Sequence, residues 1–292
     1  MGIVSNILSG VTRRINTGPT DQEGHEMGFL DHIDDLRKHI VRAVVAVLVG
    51  AIFCFVELDI IMDEIILAPI NVGFWTYRQI CDLSYFLYNN DTLCIKEFKL
   101  NMQNLSPGGQ FSNSLYIALI GGLIIAFPYI VRQVWLFIKP ALKEKEQKNA
   151  RSFTFFISLL FLMGIVFGFF ILTPMSLSFL ANYELSSKIE NNWTLDEYLS
   201  FVTMMVLACG LIFELPVVIY FLTKIGLLGS KFMQKNRRYA VVIILIISAI
   251  LTPSPDMTSQ LLMATPLYLL FEFSIYVSRR VERGKERERE RV

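Results

Sequence analysis

Three polar segments of an otherwise apolar chain hold the residues able to do chemistry. The first is the run 29–40, in which Phe29, Ile33, Leu36 and Ile40 recur at helical spacing. Asp31, Asp35, Lys38 and Arg42 form a second stripe. This is the pattern of an amphipathic helix lying at a membrane surface and running into an apolar segment. Its acids either pair with the neighbouring Arg37 and Lys38, worth roughly a few tenths of a kcal/mol, or offer carboxylates to a ligand. The second is Glu214, in Phe213-Glu214-Leu215-Pro216, set deep in an uncharged stretch. An ionisable group at bilayer depth costs roughly 2.5–3.5 kcal/mol on insertion scales, so it either faces protein or water with a role, or snorkels to a boundary. Pro216 removes a helical N–H and frees a carbonyl beside it.

The third segment is Leu251-Thr252-Pro253-Ser254-Pro255-Asp256, followed by Met257, Thr258, Ser259 and Gln260. Proline at two positions makes it a tight hairpin, with Asp256 placed to cap the helix that follows and Gln260 one turn further on. Other chemistries find no foothold. Gly229-Ser230-Lys231 lacks the spacing of a phosphate-binding loop, and His25-Glu26 is not followed by the second histidine of a zinc-protease motif. Cys54 and Cys209 lie in apolar stretches and read as small hydrophobic residues. Cys81 and Cys94 share a long polar loop, where they are either free thiols or, in an oxidising compartment, a disulfide.

The elements that must position these groups are membrane spans. Hydrophobic residues make up 53% of the 292 and charged residues 18%, with a mean hydropathy of +0.49. A soluble chain carries about 25% charge and would have to expose large apolar patches at this composition. Stretches of about 20 apolar residues cross a bilayer. Six candidates occur, at 40–55, 114–137, 153–173, 199–222, 239–251 and 260–277, the fifth short for a full crossing. Basic residues alternate between connections. Arg37, Lys38 and Arg42 precede the first span, Lys139 to Arg151 join the second and third, Lys224 to Arg238 join the fourth and fifth, and Arg279, Arg280 and Arg283 follow the sixth. The other connections are poor in lysine and arginine or, after the first span, outnumbered by acids. Basic connections stay cytoplasmic, which predicts both termini inside. The fold expected is therefore all-α and polytopic. A polar extension over 1–26 precedes a membrane domain over 27–280, which carries an extracytoplasmic cap near 57–113, and a charged tail over 281–292 follows.

Taken in order, these segments resemble the TatC family, the receptor subunit of the twin-arginine protein translocase. His32-Ile33-Asp34-Asp35-Leu36-Arg37-Lys38 is similar to the family's N-terminal signature. Ala68-Pro69, Gln133-Val134-Trp135, Phe137-Ile138, Pro140-Ala141-Leu142, Phe213-Glu214-Leu215-Pro216-Val217, Lys235, Arg237-Arg238-Tyr239, Leu251-Thr252-Pro253, Ser259-Gln260-Leu261-Leu262 and Pro266 to Glu272 continue the match. Each is weak singly, and their joint order from Met27 to Arg280 is specific. His39 stands where the family usually has arginine, Asp35 replaces its glutamate, and the first external loop is longer than the family's.

The resemblance implies recognition of signal peptides bearing consecutive arginines on folded cargo, with no reaction catalysed and the proton-motive force as energy source. It implies six spans with the last two short. Asp35 and Glu146 become the carboxylate acceptors, flanked by Leu36, Arg37 and Phe137. Glu214 becomes an intramembrane contact to a partner or peptide, Asp256 and Gln260 external-end contacts, and Pro69 and Pro140 structural positions. Single-span TatA/TatB-type subunits, further copies of the chain and the lipid bilayer are the implied partners, without cofactor, metal or nucleic acid, in a bacterial inner membrane. The alternative from another class is a proton-coupled secondary transporter using Glu214, against which no internal repeat with paired broken helices is seen. An intramembrane protease would need a catalytic constellation at depth, yet all three histidines precede the first span.

Overall fold

The computed structural model describes residues 29–88, 94, 101–138, 150–183, 186, 192–252 and 257–289. Pro140, Glu146 and Asp256 lie outside the described residues. The chain divides within its first helix, between an arm ending at Lys38 and a body beginning at His39.

Long apolar runs become helices because, away from water, each backbone N–H and C=O must find its partner within the segment. The first helix, α1, covers Phe29–Val56. A one-turn helix, a π-turn over Ile61–Ile66 and a 3-10 turn over Ala68–Ile70 lead to α2, Trp75–Tyr88. The strand β1, Asn101–Gln103, precedes α3, Gly109–Ile138. Next comes α4, Ala150–Phe167, which passes through a π-turn at Gly168–Leu172 into α5, Thr173–Asn182. The strand β2, Asn192–Thr194, pairs parallel with β1, Asn101 opposite Asn192. Then follow α6 (Leu195–Ile212), α7 (Leu215–Lys224), α8 (Ser230–Lys235), α9 (Arg237–Leu251) and α10 (Met257–Arg289). A capping box starts α6: the Thr194 hydroxyl accepts from the Glu197 N–H, and the Thr194 N–H donates to the Glu197 carboxylate.

Two apolar clusters hold the body together. One gathers Ile66, Ile117, Leu177, Tyr198, Leu199, Val202 and Val206, and so ties the segment after α1 to α3, α5 and α6. Its polar pins are phenols. Tyr198 donates to the Ile66 carbonyl at 2.6 Å, and Tyr77 is placed to donate to the carbonyls of Pro69 (2.9 Å) and Pro174 (3.2 Å). Burial, with Tyr198 nearby, pushes the Tyr77 hydroxyl well above its ordinary pKa and keeps it a donor. Pro69 is fully buried. The π-turn after α4 loosens the carbonyl ladder; Thr173 bonds the Gly168 carbonyl at 2.8 Å and Thr76 bonds that of Phe170. The second cluster, Leu172, Cys209, Ile244, Met263, Ala264 and Leu267, joins the π-turn, α6, α9 and α10.

Helices meet where side chains vanish. A Cβ on Gly122 of α3 would overlap the Ala51 nitrogen and the Val47 carbonyl of α1, and one on Gly164 of α4 would strike the Cys209 carbonyl of α6.

The helices differ from the expected spans at the end of the chain. Among the described residues five helices are long and apolar enough to cross a membrane: Ile33–Val56, Gly109–Ile138, Phe153–Asn182, Leu195–Lys224 and Ser259–Gly284. The fifth expected span is α9, whose 15 residues rise about 22 Å against a hydrocarbon core of about 30 Å. The sixth was expected to be short as well and is not: α10 runs 33 residues. Apolarity ends near Val277, but the arginines, glutamates and lysine beyond it are good helix formers and no proline interrupts them, so the helix continues. Cys81 and Cys94 form a disulfide, their Cα atoms 4.5 Å apart, so of the two states open in the sequence the structure has the bonded one.

Candidate functional site

The arm presents Asp35, Leu36 and Arg37 on consecutive positions of α1. Asp35 accepts from Lys38 at 3.0 Å in an exposed, one-turn ion pair. Leu36 is 37% exposed and Arg37 is exposed. Phe137 is half-buried in the last turn of α3.

One turn before Phe137, Gln133 is 5% exposed, and its Oε1 lies 2.6 Å from His39 Nδ1. Sequence reasoning noticed His39 as a departure but not its partner, because nothing in either residue's local pattern says that two positions 94 residues apart meet. Trp135, next to it, packs against Phe153 and Phe221, and its indole N–H is buried without a hydrogen-bond partner.

Glu214 occupies the break between α6 and α7. Its backbone is satisfied: the N–H donates to Leu211, and the carbonyl accepts from Val217 and Val218. Pro216, fully buried in the first turn of α7, has no N–H to lose there. Its carboxylate faces the Phe161 backbone, yet both oxygens are buried and neither makes a hydrogen bond of ordinary geometry. Buried carboxylates are normally paired or hydrogen-bonded. Such an acid therefore has capacity for a donor from outside the chain.

Beside this break runs an apolar groove of about 810 Å³, along one face of α4 and the π-turn. Leu162, Val166, Phe167, Phe170, Trp75 and Phe213, the neighbour of Glu214, are among its lining residues, Trp75 meeting Phe170 edge-on. In the sequence these α4 residues read only as part of a span. The i, i+3, i+4 recurrence was visible, but an all-apolar helix gives no sign of which face stays open.

Gln260 donates to the Leu245 carbonyl at 3.1 Å, bridging α10 to α9. Two further polar links lie along α10. Arg237 meets Glu272 at 2.8 Å, with Tyr268 bonding the same carboxylate at 3.0 Å, and Thr223 bonds Ser278 at 3.0 Å. Short α9 is thus tied to α10 by side-chain bonds at its start and near its middle. Among the described residues no cluster of histidine, cysteine and acid is arranged to hold a metal.

Fold and site together define a multi-pass helical membrane protein with an unsatisfied carboxylate at a helix break beside an open apolar groove. The sequence matches the family profile described as Sec-independent protein translocase protein (TatC) over residues 31–266. A Sec-independent protein translocase protein TatC of Blattabacterium sp. subsp. Periplaneta americana is 36% identical over 264 residues, covering 90% of this chain and 99% of that one. One from Carboxydothermus hydrogenoformans is 33% identical over 257 residues, covering 88% and 95%. A crystal structure of the twin arginine translocase receptor TatC in DDM superposes with a TM-score of 0.63 at 31% identity, covering 85% of this chain and 99% of that one. The chain belongs to the TatC family, components of the Sec-independent, twin-arginine protein translocase. That membership favours protein translocation over small-solute transport.

Proposed function

We propose that this protein is the receptor of a twin-arginine translocase in a bacterial inner membrane, binding the arginine pair of a signal peptide through Asp35 and Glu146. The observation that carries the reading is the ordered match to the family across the chain, with carboxylates retained at both positions. The chemistry supports it. A guanidinium is planar, permanently charged and pairs bidentately with a carboxylate, so consecutive arginines select for two acids in a way lysines do not. The Asp35–Lys38 pair is exposed and local, worth roughly a few tenths of a kcal/mol, and yields to an incoming guanidinium at little cost.

Leu36, Arg37 and Phe137 flank the arginine site. Glu214 serves within the membrane, where its buried, unbonded carboxylate takes a donor from a single-span TatA/TatB-type helix or from the inserted peptide. Asp256 and Gln260 meet such partners at the external end, and Pro69 and Pro140 shape the loops that carry the site. The chain crosses the membrane six times with both ends cytoplasmic; α9 crosses by thinning the bilayer or standing upright. The Cys81–Cys94 bond fits an external cap in an oxidising compartment. The receptor works as several copies with its partners and draws on the proton-motive force.

Depletion of the protein tests this reading. Folded cargo with a twin-arginine signal accumulates in the cytoplasm, and the same cargo with lysines in place of the arginines is unaffected because it was never exported. Continued export of twin-arginine cargo after depletion overturns it.

A further inference from the structure

His39 and Gln133 make a polar contact between α1 and α3. Nδ1 and Oε1 lie 2.6 Å apart, with the glutamine 5% exposed and the histidine half-buried. The two helices also touch at Gly50 and Gly122, where an added Cβ on Gly50 would come within 3.0 Å of the Gly122 backbone. Residues 39 and 50 are separated by the same number of positions as 122 and 133, which is the register of two antiparallel helices in continuous apposition. The rise over that interval is about 16 Å. A close backbone crossing holds one end of it and a hydrogen bond the other. Of the five long apolar helices among the described residues, α1 has the least enclosed apolar stretch, 11% buried against 22–56% in the others.

The chemistry of the pair is tolerant. A ring with Nδ1 protonated donates to the amide oxygen, and a ring with Nδ1 bare accepts from the same amide turned over. An arginine or a glutamine at 39 also carries N–H donors able to reach the oxygen. What the position needs is a side chain that hydrogen-bonds the Gln133 amide, which explains how histidine stands where the family usually has arginine. Phe137, a residue of the proposed arginine site, lies one turn from Gln133 on the same face of α3, and Asp35 stands four positions before His39 in the sequence.

We propose that His39 and Gln133 are a positioning pair for signal-peptide capture: their hydrogen bond fixes the body's first residues on α3, at the point where the segment bearing Asp35 joins it. This inference rests on the receptor reading above.

The test uses the complete translocase in native membranes and a photocrosslinkable twin-arginine precursor. His39→Phe and Gln133→Leu each remove the bond while keeping most of the volume, and each lowers capture about tenfold. Combined, they lower it no further than the worse single change, as two ends of one interaction do. His39→Arg and His39→Gln, which keep a donor, restore capture to within about twofold of the parent, whereas a purely volume-filling role would favour phenylalanine. Full capture by His39→Phe, independent multiplying losses in the double variant, or failure of both donor-bearing variants each overturns the proposal. Should His39→Phe not accumulate in the membrane, Gln133→Leu in its place decides by the same criterion. Failure of the parent protein to prefer arginines over lysines instead overturns the receptor reading itself.

Discussion

Residues in this protein divide into those whose polar groups are satisfied internally and those that are not. Glu214 is the clearest of the second kind, with two buried oxygens and no bond to either. Holding an acid there costs roughly 2.5–3.5 kcal/mol. Glu214→Leu is therefore expected to raise the thermal midpoint of the detergent-solubilised protein while reducing export and co-purification of single-span partners. Normal export by that variant would remove Glu214 from the mechanism. The importance of Glu214 was legible in sequence, because a lone acid in a long uncharged stretch is conspicuous. Its lack of an internal partner was not, since only the packing at Phe161 and Phe213 shows it. Gln260 reads the other way. Sequence resemblance pointed it at a partner, and the structure shows its amide bonded to the Leu245 carbonyl. Gln260→Leu should accordingly loosen α9 from α10, seen as faster hydrogen exchange in α9.

At the scale of elements, the apolar runs made the long helices easy to read, because satisfying the backbone in lipid leaves no other choice. What the runs concealed was where helices break or continue. The π-turns at Ile61–Ile66 and Gly168–Leu172 have no composition signal, and α10 outlasts its apolar stretch because helix propensity, not hydropathy, ends a helix in water. Close crossings were equally hidden, as a glycine in an apolar run looks like any other small residue. Gly122→Val should destabilise the protein by about 3 kcal/mol, since the added atoms meet α1 backbone rather than a movable side chain. Unfolding in detergent measures it, and an unchanged midpoint would mean α1 does not sit on α3 in this register. The Cys81–Cys94 bond closes a loop over a sequence separation of 13, worth about 3 kcal/mol through the unfolded chain. Replacing both cysteines by serine should cost about that much, and mass spectrometry without reductant should find neither thiol alkylatable in the parent.

For the whole molecule, the order of weak motifs pointed to the family, and the family profile and a superposed receptor structure agree. The spatial relation between the two carboxylates proposed to bind arginine was beyond the sequence, because Asp35 and Glu146 belong to segments separated by two expected spans and pattern alone cannot say that they share a ligand. The basic-rich connections predict, by sequence, that both lie on one side of the membrane. The most direct test of that central claim is site-specific crosslinking of a twin-arginine precursor to the membrane-embedded protein carrying Asp35→Ala with Glu146→Ala. The account predicts that the double variant reaches the membrane at the parent's level and that the crosslink to the arginine region disappears. An undiminished crosslink would contradict it.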